Sequence, residues 1–218
     1  MPGLTPRVYW LNDAFSQMVK RRPYRLGKRA DSATATRHRI LEATLTLHDE
    51  QGITRTSVRD VAGRAGVSPA TVLNHFPRMG DLIQACGQLS DDLNPMPTEA
   101  VLVGARDRTQ RVRLLAVALF TWWEQMGSGW EHLQVDRRTL PDVDAWLRDV
   151  DRRHRALVAS ALEVAVDHAS VPVATALTSF GSWRSLRDGG MSVARAAAHV
   201  ATFLTGSDPS SHSKGRMH

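Results

Sequence analysis

Two helix-start signals on either side of a glycine are the feature that most constrains this fold. Residues 57–60 have the form of a capping box, in which a serine hydroxyl accepts from a backbone amide three residues on and an acid answers it. After Gly66, Ser68 followed by Pro69 forms a second N-cap with proline at the first helical position. Two short helices joined by a tight turn predict a helix-turn-helix whose second helix runs to about Phe76 and projects outward.

Further helices are predicted on both sides of this motif. Apolar residues recur at spacings of three and four from Thr36 to Gln51, and Gly52 follows as a C-terminal stop. A fourth helix is predicted to begin at Gly80 and to end at the proline-containing break over residues 94–97. This fourth helix is expected to connect the motif to the rest of the chain.

The rest of the chain shows no strand-like alternation longer than four residues, which predicts helices throughout. The predicted helices cover Arg111–Met126 with a stop at 127–129, about Trp130–Leu140, Asp142–Asp167, Pro172 to about Arg187, and Ser192–Leu204. The fold class is therefore all-α, with an N-terminal three-helix helix-turn-helix domain and a larger C-terminal helical ligand-binding and dimerisation domain. The expected divisions are a basic flexible extension (1–35), the helix-turn-helix domain (36–87), the C-terminal domain (88–206) and a disordered tail (207–218).

Positive charge is concentrated in one segment near the N-terminus. The whole chain has a formal net charge of +6, residues 20–39 alone carry +7, and the remainder carries −1. A cationic segment beside a folded unit is typical of a phosphate-binding arm, because each Lys or Arg that meets a phosphate releases condensed counterions. The charge favours nucleic acid as a partner, with a solubilising tail or non-specific anion binding as the alternative.

Composition excludes several classes of protein. With 42% hydrophobic and 23% charged residues, the chain is neither collagenous nor globally disordered. Its longest apolar run, residues 114–120, is far shorter than the roughly 20 residues that a membrane-spanning helix needs. The N-terminus lacks a charged segment followed by an apolar stretch, so no secretory signal is expected, and Met18 is a second candidate translation start. The single cysteine, Cys86, fits a cytoplasmic location.

Catalytic and ligand-binding patterns are missing from the sequence. The nine histidines include no HExxH pair, and neither a glycine-rich phosphate loop nor GxSxG occurs. Cys86 has no evident base partner and is interpreted as a small apolar residue packed on helix four. We therefore expect that the protein is not an enzyme and uses neither a cofactor nor a metal.

Residues 36–83 match one known pattern in a single register. The matching positions are Gly52-Ile53, Thr56–Ala62, Ala65–Ser68, Thr71-Val72 and His75-Phe76, with Leu82 six residues later. This stretch resembles the N-terminal DNA-binding domain of the TetR family of transcriptional regulators. The resemblance implies a cytoplasmic homodimer that represses transcription from a palindromic operator and is released by a small-molecule effector, with helix four as the lever.

The resemblance also implies a set of DNA-contacting residues. Thr71 and Asn74 are the predicted base readers, because hydroxyl and amide groups bond base edges. Ser57, Arg59 and Arg78 are expected to contact phosphates and to fix the register. The full set is Ser57, Arg59, Ser68, Pro69, Ala70, Thr71, Leu73, Asn74, His75 and Arg78, with Arg21, Arg22, Arg25, Lys28 and Arg29 from the basic arm.

Three positions depart from the family pattern. Leu73 stands where an aromatic residue commonly meets the DNA backbone, and Met79 stands where helix four often begins with Lys. We expect Arg78, or the basic arm lying along a minor groove, to compensate for these two contacts. His48 replaces an apolar aromatic residue late in helix one and is interpreted as a partly buried, hydrogen-bonded core histidine.

Aromatic side chains concentrate in the C-terminal domain, where the family places its effector pocket. The expected pocket residues are Trp122, Trp123, Met126, Trp130 and Trp146, with His132, Gln125 or His154 as polar handles for a flat or lipophilic molecule. Ordinary core packing is the alternative for most of them. Helices around 172–187 and 192–204 resemble the family's dimerisation helices, although a monomer core would show the same pattern.

Two functions of other classes stay open. A non-specific helical DNA-coating or scaffolding protein would use the basic arm without sequence choice, and a helical lipophile-binding protein or enzyme would not bind DNA. Competition by unrelated duplex separates the first from a regulator, because specific complexes survive moderate salt better than non-specific ones.

Overall fold

The computed structural model describes residues 28–206, which form a succession of helices. These are α1 (Lys28–Gln51), α2 (Val58–Ala65), α3 (Pro69–His75), α4 (Met79–Leu93), a 3₁₀ turn (Glu99–Leu102), α5 (Arg108–Asp136), α6 (Pro141–Leu162), α7 (Ser170–Leu177), α8 (Phe180–Asp188) and α9 (Val193–Thr205). Over this range no residue lies in a strand, which confirms the all-α fold class. None of these helices is long and apolar enough to cross a membrane.

The described residues divide into two compact units. One contains residues 28–95 together with residues 125–145, and the other contains residues 96–124 together with 146–206. Residues 125–145 thus pack with the N-terminal helices, a grouping that no pattern in the sequence indicates. The functional boundary between residues 87 and 88 stays a prediction.

The helices of the predicted motif surround one hydrophobic core. Ile40, Val61, Val72 and Leu82, from four successive helices, are each no more than 1% exposed. Burying an aliphatic side chain of this size contributes roughly 1.5–3 kcal/mol relative to leaving it in water. This shared core holds α2 and α3 in their mutual orientation.

Local caps set the bounds of α2 and α3 as predicted. The Ser57 hydroxyl accepts from the Asp60 amide at 3.2 Å, and the Ser57 amide donates to the Asp60 carboxylate at 2.9 Å. Gly66 ends α2 in the left-handed region at φ +66°, and the Ser68 hydroxyl accepts from the Thr71 amide at 3.1 Å to start α3. The helix-turn-helix geometry is therefore confirmed.

The first helix is longer than the pattern predicted. It begins at Lys28 rather than at Thr36, so the last residues of the predicted flexible extension are helical. The prediction was wrong because the small polar residues here were interpreted as a loop, whereas alanine is the best helix former. Asp31 in the first turn also complements the helix dipole.

The predicted stop at residues 127–129 is a kink inside a longer helix. Gly127 has φ +53° and ψ −144°, and α5 continues beyond it to Asp136. A residue without Cβ adopts this conformation at little steric cost, so the chain changes direction and remains helical afterwards. The glycine cluster lies where the helix was predicted to stop, but it kinks the helix instead of ending it.

Two predicted helices in the C-terminal half also have different bounds. The one predicted over residues 172–187 is broken into α7 and α8, because the Ser179 hydroxyl accepts from the Ser182 amide and starts a new helix. The one predicted to reach Asp167 ends at Leu162, since Glu163 adopts a left-handed conformation at φ +57°. These two helix ends occur at serine and glutamate. Glycine and proline, which signal a helix end more strongly in a sequence, are absent from both positions.

Candidate nucleic-acid interface

The predicted recognition helix, α3, turns one side toward the core and the other outward. Val72 and Phe76 point into the core, with 0% and 3% exposure. On the outer side Ser68, Pro69, Ala70, Leu73 and Asn74 are exposed, whereas Thr71 and His75 are partly buried. The structure therefore brings the predicted α3 residues onto one accessible surface, and their contacts with DNA stay a prediction.

A pair of hydroxyls lies at the start of this surface. The Ser68 and Thr71 oxygens are 2.9 Å apart, and either can be the donor. Only one hydroxyl proton is used in this contact, so the other remains available in both arrangements. The pair can therefore donate one hydrogen bond to a base edge or a phosphate while keeping the helix cap.

The three predicted phosphate contacts differ in how they are held. Ser57 and Arg59 are exposed at the start of α2, and the Ser57 hydroxyl also donates to Asp60 at 2.6 Å. This hydrogen bond lowers the pKa of the Asp60 carboxyl below its usual value. Arg78 is exposed but forms an ion pair with Asp81, with an Nη2–Oδ1 distance of 2.7 Å. Its charge is thus partly compensated within the domain.

Part of the predicted basic arm lies within the described residues. Arg21, Arg22 and Arg25 lie outside the described residues. Lys28 and Arg29 lie in the first turn of α1. The minor-groove role of these five residues stays a prediction.

The turn between α1 and α2 is anchored by Asp136, a residue that sequence reasoning missed. This carboxylate is 2% exposed and accepts from the Ile53 amide at 2.6 Å and from the Thr54 hydroxyl at 2.5 Å. Gly52 lies directly against it, because a Cβ there would stand 3.1 Å from the Asp136 Oδ2 atom. The second half of α5 thereby fixes the turn that leads to the Ser57 cap.

His48 occupies the core beside the only cysteine. Its Nδ1 atom lies 3.6 Å from the Cys86 Sγ atom, which confirms a hydrogen-bonded core histidine. Burial lowers its pKa to about 4, although the nearby Asp136 charge acts in the opposite direction. The expectation that Cys86 lacks a base partner was wrong, since the fold brings together two residues 38 positions apart. With Cys86 2% exposed, the pair is closed to substrates.

The second compact unit contains a cluster of aromatic rings. The ring centroids of Trp122 and Trp123 are 4.3 Å apart, and Trp123 meets Phe180 edge-on at 5.9 Å. Phe180 in turn packs against Trp183 at 5.1 Å. We call these four residues the aromatic cluster; edge-on and tilted contacts of this kind add to the energy of simple burial.

His154 joins the aromatic cluster as a neutral imidazole. The Thr178 hydroxyl donates to the Ala174 carbonyl at 2.8 Å, so it accepts from the His154 Nε2 atom at 2.9 Å. Burial, together with the nearby Arg155 charge, lowers the His154 pKa to about 4. The Trp123 indole N–H donates to the Thr178 carbonyl at 2.9 Å. These hydrogen bonds fix the Trp123 ring, which lies edge-on to the His154 imidazole.

Two of the predicted effector-pocket residues, Trp122 and Trp123, contact each other in the aromatic cluster. Trp122 and Trp123 are buried in the aromatic cluster, and Trp146 of the same unit is partly buried. Met126 and Trp130 are also buried but belong to the other compact unit. Phe180 and Trp183 were missed as pocket candidates because their spacing was assigned to a dimerisation helix. The pocket stays a prediction.

The helices expected to form a dimer bury much of their apolar surface within one chain. Phe180, Ala197 and Val200 are at most 9% exposed, as the alternative of a monomer core predicts. Phe203 on α9 and Val173 on α7 remain 71% and 52% exposed. An interface through these helices would have to use such residues.

Comparisons with known proteins match part of this chain to transcriptional regulators. Residues 40–86 match the model of the family described as "Bacterial regulatory proteins, tetR family". A curated relative, the HTH-type transcriptional regulator AcrR of Shigella flexneri, is 34% identical over 64 residues. That match covers 29% of this chain and 30% of the relative, so the chain spans less than a third of the relative's length. Both descriptions are of regulators, in agreement with the expectation that the chain is not an enzyme.

Solved structures extend the likeness in fold to both halves of the chain. A Rhodococcus sp. structure assigned to the TetR family is 20% identical, with a TM-score of 0.58 over 78% of this chain and 97% of that one. A transcriptional regulator from Streptomyces coelicolor A3(2) is 24% identical, with a TM-score of 0.55 over 78% and 98%. The multidrug binding protein EbrR, complexed with proflavin, is 20% identical, with a TM-score of 0.50 over 79% and 99%. The family match falls on the helices that build the motif, so residues 40–86 are similar to the TetR family of regulatory proteins, and the likeness in fold reaches well beyond them.

Proposed function

We propose that this protein is a ligand-responsive repressor that binds a palindromic operator in the cytoplasm as a homodimer and is released by a small molecule. The observation that carries the proposal is the outward polar face of α3, held on a closed core by Val72 and Phe76. A helix in this position can enter a major groove and contact base edges with its side chains.

Thr71 and Asn74 are the proposed sequence readers. Asn74 is exposed, and the Thr71 hydroxyl belongs to the pair that retains one free proton. A single helix of this length reads only a few base pairs, so a specific regulator needs two copies on half-sites about one helical turn apart. This requirement supports the homodimer.

The aromatic cluster is the proposed centre of effector recognition. It combines large flat rings with a neutral imidazole, His154, and with a buried Trp183 indole N–H that has no hydrogen-bond partner among the described residues. Flat lipophilic molecules with one acceptor suit such a surface. Proflavin, which EbrR holds, is a suitable first probe because it is flat and aromatic.

The proposed route of release runs along α5. Trp122 and Trp123 precede the Gly127 kink, and Asp136 follows it with its bonds to the turn before α2. An effector that favours a different path of α5 would alter these bonds. The size of the response is limited to the difference in effector affinity between the two forms.

Selection of genomic fragments with the purified full-length chain tests the proposal. We expect a palindromic sequence to be enriched and to remain bound when unrelated duplex is added at moderate salt. Loss of the enriched sequence to unrelated duplex would instead identify a DNA-coating protein. Retained binding of flat ligands without any DNA binding would identify a lipophile-binding protein.

A further inference from the structure

We propose that Arg37 binds a DNA phosphate beside the recognition helix and that Phe76 holds it in position. This inference rests on the proposed DNA-binding function and adds a contact outside the predicted set. The Arg37 Cζ atom lies 4.6 Å from the centroid of the Phe76 ring, within the range of a cation–π contact.

Phe76 is a fixed support for this arginine. It is the C-cap of α3, its amide donates to the Val72 carbonyl at 2.8 Å, and its side chain is 3% exposed. The ring therefore moves with the recognition helix and with the core beneath it. Arg37 comes from α1, so the contact places a cation of one helix at the end of another.

Stacking leaves the hydrogen-bond donors of Arg37 available. All five N–H groups of a guanidinium lie in its plane, so a ring that covers one face blocks none of them. Arg37 is exposed, and among residues 31–206 no carboxylate forms an ion pair with it. A phosphate matches the in-plane donors in both charge and geometry.

Unlike Arg37, two other arginines of the domain each pair with a carboxylate. Arg64 forms two bonds with Glu50, at 3.0 and 2.6 Å, and Arg78 forms two with Asp81, at 2.7 and 3.2 Å. Both charges are thus compensated by a carboxylate. Arg37 keeps its full charge at the end of α3.

The apolar side chains near this end cannot replace it. Leu73 is 44% exposed on α3, and Met79 begins α4. Neither side chain has a donor for a phosphate oxygen. A cation held over Phe76 supplies the backbone contact that these positions lack.

The test compares Arg37→Gln with Arg39→Gln in the full-length chain. Arg39 lies two residues further along α1, is also exposed, and bonds only to the Thr36 hydroxyl at 3.4 Å among the described residues. Dissociation constants would be measured at several salt concentrations, with the duplex recovered by selection and with a duplex of unrelated sequence. Circular dichroism would verify that both variants fold.

We expect Arg37→Gln to weaken binding of both duplexes alike, by about three- to tenfold, and to reduce the salt slope by about one for each protomer bound. Arg39→Gln should change both quantities less. Phe76→Leu, which keeps an apolar core residue, should reproduce part of the loss and should add little to Arg37→Gln.

Three results would overturn the inference. An unchanged affinity and salt slope in Arg37→Gln would show that the residue makes no phosphate contact. Equal effects of Arg37→Gln and Arg39→Gln would show that general charge, and not the position over Phe76, matters. A loss confined to the selected duplex would indicate base recognition. Failure of the wild-type chain to bind any duplex would refute the proposed function itself, before any variant is compared.

Discussion

One buried histidine, His154, and one partly buried histidine, His48, make the stability of the protein sensitive to acid. The pKa values of His48 and His154 are lowered to about 4 from an ordinary value of 6.5, in both cases chiefly by burial. Between these two values the unfolded chain binds more protons than the folded protein. Unfolding therefore takes up protons, and the free energy of unfolding falls as the pH is lowered through this window.

Replacing His48 by Phe should reduce this loss. Each histidine contributes at most about 3–4 kcal/mol of acid sensitivity, because one pKa unit corresponds to about 1.4 kcal/mol. His48→Phe also removes a buried Nε2 atom that has no partner among the described residues, so stability near neutral pH should not fall. Denaturant unfolding at neutral and acid pH measures both effects. The exposed His199→Gln is the control, and an acid loss in His48→Phe equal to that of the wild type would contradict the prediction.

Sequence preference should depend on two side chains of α3. Thr71→Val keeps the shape and methyl group of threonine but removes its hydroxyl, and Asn74→Ala removes an exposed amide. Each change should cost about 1–3 kcal/mol on the selected duplex if the side chain makes a good base contact. Repeating the selection with each variant measures the preference. Recovery of the same sequence at the same affinity would exclude the residue as a base reader.

At the scale of elements, α5 matters through what its two parts contact. Its first part contributes Trp122 and Trp123 to the aromatic cluster, and its last residue, Asp136, binds the turn between α1 and α2. A buried carboxylate that accepts several hydrogen bonds stabilises a fold strongly, because its loss leaves buried donors unpaired.

Asp136→Asn should lower the free energy of unfolding by about 2–4 kcal/mol, since one acceptor oxygen becomes an amide that faces backbone and hydroxyl donors. Asp142→Asn removes an exposed carboxylate just beyond α5 and should change stability little. Denaturant titration of both variants makes the comparison. Equal stability of the two variants would show that the Asp136 bonds are not needed to hold the turn.

For the whole molecule, the N-terminal extension should add affinity without sequence choice. Deletion of residues 1–27 keeps all of α1 and removes most of the basic arm, including Arg21, Arg22 and Arg25. Binding of the selected and the unrelated duplex should weaken together, and the salt dependence should become shallower, because fewer counterions are released. Deletion of residues 207–218 is the control. Unchanged affinity at every salt concentration would remove the arm from the proposal.

Local interactions explain which elements were predictable. The capping box and the Ser68 cap join atoms three residues apart, so the residues that form them are visible together in the sequence. The inward positions of Val72 and Phe76 follow from helical spacing for the same reason. The start of α1 and the kink at Gly127 were missed because small polar residues and glycine permit more than one backbone conformation.

The sequence by itself determined the helix-turn-helix, its outward face and its resemblance to a known family of regulators, because each depends on side chains within one or two helical turns. Only the tertiary structure decided that Asp136 holds the turn 83 residues before it, that Cys86 meets His48 and that Arg37 rests on Phe76. Such contacts depend on the path of the whole chain through space, and the spacing of residues along the chain does not record that path.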